Sequence, residues 1–168
     1  MEFGTQKSYG SFREWLGDLG YLIKNRRAVR AMMKGGLDPK FRERLMLAVT
    51  EVNQCRLCSY VHTRMALSQG LEKAEINRIL SGHFQEAPED ELQALAYAQH
   101  WAETGGNPNP GVRQTFEAAY APETVANIGL ALRLIRTGNY TFNTMDGLLH
   151  RLTFGRLGVA REQRMKPN

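Results

Sequence analysis

The sequence predicts an all-α protein, a single-domain bundle of about seven or eight helices. Three observations carry that expectation. Apolar residues recur at three- and four-residue spacing, no stretch sustains a two-residue alternation, and β-branched residues are sparse. The 168 residues are one ordinary domain's worth, and 42% hydrophobic with 23% charged side chains is a globular composition. We expect residues 1–35 to form an N-terminal helical extension, 36–153 the core and 154–168 a basic tail that frays.

Each helix has its own signals. Residues 11–18 suit a short helix, and 20–34 a longer one stopped by Gly35-Gly36. Asp38-Pro39 pairs an N-cap residue with proline at the first helical position, opening a helix to about Asn53. The next begins near Cys55 and runs to Gln69, ahead of Gly70. Residues 72–81 form a short amphipathic helix, and Pro88 opens another that reaches about Thr104. The loop 105–110, rich in Gly, Asn and Pro, precedes a helix at 111–120. Pro122 starts a helix to about Thr137, Gly138-Asn139 is expected to break it, and a last helix covers 140–153.

Charge and composition narrow the function classes. The net charge of +5 is spread as +5 over residues 1–50, −4 over 51–110 and +4 over 111–168. The densest basic patch, Lys24 to Lys34, is interleaved with apolar residues as one face of a helix, so no nucleic-acid partner is expected. No apolar stretch is long enough to span a bilayer, and the first residues lack the apolar run of a secretory signal. Two cysteines three residues apart belong to redox or metal chemistry in a reducing compartment. A cytoplasmic protein without a membrane partner is expected. No glycine-rich phosphate loop occurs, so no cofactor is expected and electrons must come from a thiol or protein disulfide reductant.

The segment Glu43 to His62 carries the chemistry: a glutamate, eleven residues, then Cys55, Cys58 and His62. At 100° per residue, Cys55, Cys58 and His62 share a 60° sector of one helix, and the two thiols are close enough for a disulfide. A thiol in a helix's first turn meets unpaired N–H groups and the positive dipole end, which favour thiolate. An imidazole one turn on can take the thiol proton, and a carboxylate behind it fixes the tautomer. With a second thiol in reach, a sulfenic acid formed on peroxide would be captured as a disulfide.

The spacing resembles that of the alkylhydroperoxidase D (AhpD-like) branch of the carboxymuconolactone decarboxylase superfamily. The likeness continues through Gly70, through Leu92 to Ala98, and into the Asn139 to Asn143 segment, covering about residues 36–150. It implies an all-helical fold, closed homo-trimers or homo-hexamers, and reduction of a small hydroperoxide by a cysteine pair. Carried over by position, it makes Cys58 the attacking thiol, Cys55 the resolving thiol, His62 the base and Glu43 the acid of the relay. Leu57 stands where some members have a histidine, which removes an auxiliary proton carrier. The decarboxylase branch generally lacks the cysteine pair.

Plainer readings stand beside these. The cysteines could form a metal half-site, with His62 and one of His83, His100 or His150 completing it, in a non-catalytic oligomeric module that binds metal or senses oxidation. Glu43 falls about 200° from Phe41 on a helix whose apolar stripe runs through Leu45, Ala48, Val49 and Val52, the position of a solvated glutamate. A functional Glu43 requires that helix to be buried on both faces. Glu51 is the competing acid. Tyr97, Trp101 and Tyr140 are expected in the core.

Overall fold

The structure, a computed structural model, describes residues 6–154 and 156. Among these it has eight α-helices and no strand: α1 (Phe12–Lys24), α2 (Arg26–Ala31), α3 (Pro39–Asn53), α4 (Arg56–Ser68), α5 (Lys73–Ile79), α6 (Glu89–Glu103), α7 (Pro110–Ala119) and α8 (Pro122–Leu152). A π-type turn, Met32–Gly36, closes α2. The expected basic tail lies almost entirely outside the described residues.

The cap at Asp38 forms where the sequence placed it, and α7 gains one at Asn109, a residue expected in the loop. The Asp38 carboxylate accepts from the Lys40 and Phe41 amides at 2.9 and 3.1 Å, with Pro39 in the first turn of α3. Asn109 accepts from Gly111 N–H at 2.9 Å ahead of α7. Glu89, Asp90 and Glu91 fill the first turn of α6, where carboxylates complement the helix dipole.

Helix α3 is the axis of the bundle, packed by α8, α6, α4 and α5. Every residue from Phe41 to Thr50 is buried, so the helix is enclosed on both faces despite its single apolar stripe. The faces that lack hydrophobic residues are occupied by paired polar ones. On one side Arg44 donates to Glu75 at 2.6 Å and to Glu91 at 3.0 and 3.1 Å. The chain covers α3 by itself, which meets the requirement that a functional Glu43 lie on a helix buried on both faces. Tyr97, Trp101 and Tyr140 are buried as expected, and Tyr97 stacks on Phe116 with ring centroids 3.9 Å apart.

Two expected boundaries are wrong. The N-terminal break falls at Asn25, while α1 runs unbroken through Gly17 and Gly20. Tertiary bonds hold it: Trp15 Nε1 donates to Thr141 Oγ1 at 3.2 Å, and Arg136 donates to Asp18 at 2.6 Å. The second error is the break at Gly138-Asn139, because α8 is one helix of 31 residues. An interior glycine costs roughly 0.5–1 kcal/mol relative to alanine. Buried Asn139, Tyr140 and Asn143 on the next turns outweigh that cost by docking on α3 and the N-terminal segment.

The basic residues Lys24, Arg26, Arg27, Arg30 and Lys34 are exposed. No described helix is long and apolar enough to cross a membrane.

Candidate active site

The site is built where α3 ends and α4 begins. Gln54 adopts a left-handed conformation (φ 54°), which reverses the chain between the two helices within a single residue. Cys55 is then the N-cap of α4, and its Sγ accepts from the Cys58 amide at 3.3 Å. The two cysteines are joined in a disulfide with Cα atoms 5.3 Å apart. Cys58 sits in the first turn of α4, at the helix end whose amides lack helical partners and whose dipole favours a thiolate.

His62 lies one turn further along α4, and its Nδ1 is 2.8 Å from Glu43 Oε2. Glu43 is 0% exposed, so the solvated-surface reading of this residue is overturned. The carboxylate accepts Nδ1–H and thereby leaves Nε2 as the imidazole's basic nitrogen. The competing acid, Glu51, is not in this arrangement: it borders the Cys55 side, where burial pushes its carboxyl up.

The sulfurs open on different cavities. Cys58 and His62 line one of about 280 Å³ with Met33, Met46, Ile135 and Gly138, an apolar chamber in which, among the described residues, His62 is the ionisable lining group while Cys58 is held in the disulfide. Cys55 lines a larger cavity of about 500 Å³ with Gln6, Arg56, Asn143 and Asp146. Leu57 and Phe142 border both. Leu57 therefore forms wall on both sides.

A ladder of buried amides positions the cysteine loop, and residue spacing gave it no functional role. Asn53 Nδ2 donates to Asn139 Oδ1 at 3.0 Å, and Asn139 Nδ2 donates to Thr50 Oγ1 at 3.2 Å. One turn along α8, Asn143 Nδ2 donates to the Lys7 and Asn53 carbonyls at 2.7 and 2.9 Å. Gln6 Nε2 donates to Asn143 Oδ1. These bonds fix the residue before Gln54, and with it the register of Cys55. The available signal was two asparagines four apart on an otherwise apolar helix face.

The remaining histidines stay apart from the site. His100 Nε2 accepts from Asn109 N–H at 3.2 Å. Neither His83 nor His150 lines either cavity beside the disulfide. Among the described residues no three His, Cys, Asp or Glu side chains form a group that could hold a metal ion.

No curated protein and no solved structure matches the chain. Residues 21–104 match the model of the carboxymuconolactone decarboxylase family. The match begins earlier than the expected 36 and ends before α7, leaving the asparagines of α8 outside it. It spans half of the chain and includes the whole Glu43–Cys55–Cys58–His62 constellation, and on that ground the protein belongs to the carboxymuconolactone decarboxylase family.

Proposed function

We propose that the protein is an AhpD-like, thiol-dependent peroxidase. The observation that carries this reading is the junction of a disulfide-forming pair at a helix start with an imidazole held by a fully buried carboxylate. In the reduced protein His62 Nε2 accepts the Cys58 proton. The Cys58 thiolate attacks the distal oxygen of a hydroperoxide ROOH, an S–O bond forms and the O–O bond breaks. The alcohol ROH leaves with the proton that His62 carries. Cys55, as thiolate, then attacks the sulfur of the Cys58 sulfenic acid: the S–S bond forms, the S–O bond breaks, and the hydroxyl leaves as water with the proton the Cys55 thiol gave up. Sulfur loses two electrons in all, and two thiol groups of a reductant return them. The apolar chamber beside Cys58 favours an organic hydroperoxide over hydrogen peroxide.

The test is anaerobic thiol counting before and after one equivalent of cumene hydroperoxide. Two thiols lost per chain, and recovered with dithiothreitol, are expected. Inert thiols in a zinc-loaded protein would instead support a metal-binding, non-catalytic module.

In the same reading the assembly is a closed homo-trimer or homo-hexamer. Phe12 and Leu16 on α1 and Met145, Leu148 and Leu152 on α8 are large, apolar and exposed. Sedimentation at micromolar concentration decides it, and a stable, active monomer would remove the assembly from the proposal.

A further inference from the structure

Arg42 has no place in the relay described so far, and its surroundings are unusual. Neighbours in sequence on a helix ordinarily diverge, yet Arg42 Nε lies 3.6 Å from Glu43 Oε1. Both side chains are buried, 7% and 0% exposed. Neither Nε nor Oε1 has a hydrogen-bond partner, so each is the other's complement. The far end of the guanidinium is fixed as well: Nη1 donates to the Met33 carbonyl at 3.0 Å. Met33 belongs to the π-type turn and lines the cavity of Cys58 and His62.

We infer that Arg42 is a positioning residue of the site: its guanidinium is the counter-charge that keeps buried Glu43 a carboxylate, and so keeps His62 in the tautomer able to accept the Cys58 proton. The inference rests on the peroxidase reading for its purpose, but not for its physics. A carboxylate removed from water without a counter-charge takes up a proton. A protonated Glu43–His62 pair places hydrogen on both imidazole nitrogens, or donates to Nδ1 and leaves hydrogen on Nε2. Either way Nε2 is no longer a base. A guanidinium suits this part because, unlike an ammonium, it does not readily give up its proton on burial.

Among the described residues, Glu43 makes its ion pairs with Arg42 from α3 and with His62 from α4. The turn and α8 contribute to the cavity Met33, Leu134, Ile135, Gly138 and Phe142, none of which titrates. Arg44, the next cation along α3, is engaged by Glu75 and Glu91.

The experiment is the pH–rate profile of iodoacetamide alkylation of the reduced protein, which needs no peroxide. Removing a positive charge raises the proton affinity of the whole site, so in Arg42→Met the acid limb of the profile should move up by about one pH unit or more. Arg42→Lys should restore most of the wild-type profile. Placed on Glu43→Gln, Arg42→Met should change the rate less than about threefold at any pH, because the carboxylate through which it acts is gone.

A folded Arg42→Met protein with the wild-type profile overturns the inference. So does an equal shift in the Glu43→Gln background. Should Arg42→Met fail to fold, rescue by Glu43→Gln supports the charge pairing, whereas failure of the double variant reduces Arg42 to packing. A wild-type protein inert to hydroperoxide but showing this alkylation pattern would sink the peroxidase and leave Arg42 in place.

Discussion

Gly138 sits mid-helix in α8 and lines the Cys58 cavity, so one added methyl group tests stability and function together. A Cβ built there meets no atom within 4 Å, and the glycine has ordinary helical backbone rather than a positive φ. Gly138→Ala should therefore gain the helix-propensity difference, about 0.5–1 kcal/mol, with no steric offset. Part of the gain comes from the less disordered unfolded chain. For a chain of this size that is a rise of about 1–4 °C in Tm, read by thermal unfolding of the oxidised protein. The methyl group projects into an already small chamber, so turnover of a bulky hydroperoxide should fall relative to a compact one. A lowered Tm would refute the reasoning, because it would mean that the backbone at 138 is closely approached by something the isolated chain does not show.

Other expectations can be checked in parallel. Cys58→Ser should abolish peroxide turnover, while Cys55→Ser should stall as one sulfenic acid per chain, detected by dimedone labelling; a sulfenic acid on Cys55 at the wild-type rate would reverse the roles. His62→Ala should slow thiol alkylation near neutral pH with partial recovery at higher pH, and Glu43→Gln should act in the same direction but less, both read from pH–rate profiles. Arg44→Met should cost about 3–5 kcal/mol in urea unfolding, since it leaves Glu75 and Glu91 largely buried without their cation. Burial pushes the Glu91 carboxyl from 4.5 up to about 7, against the pull of Arg44. The folded state thus holds a proton that the unfolded chain releases, and this group's contribution to stability falls as pH rises from about 4.5 to 7. That fall should continue to higher pH in Arg44→Met, where the pull of Arg44 is gone.

The sequence by itself determined the fold class and most helix starts. Asp38-Pro39 and Pro122 act within one turn, through a side-chain oxygen or a fixed φ, and need no tertiary partner. It also determined which residues could share a site, since the spacing of Cys55, Cys58 and His62 is a property of one helix. What it could not determine was the environment of α3. Its polar residues read as a solvated face, because periodicity records which side chains are apolar and not which polar ones find partners. Only the packing of α4, α5, α6 and α8 around it turned Glu43 inward onto His62, joined Arg44 to Glu75 and Glu91, and set Asn139 against Thr50 and Asn53. The same packing carried α8 through Gly138-Asn139. A local helix breaker acts at a cost of about 1 kcal/mol, and a buried turn docked across the bundle exceeds it.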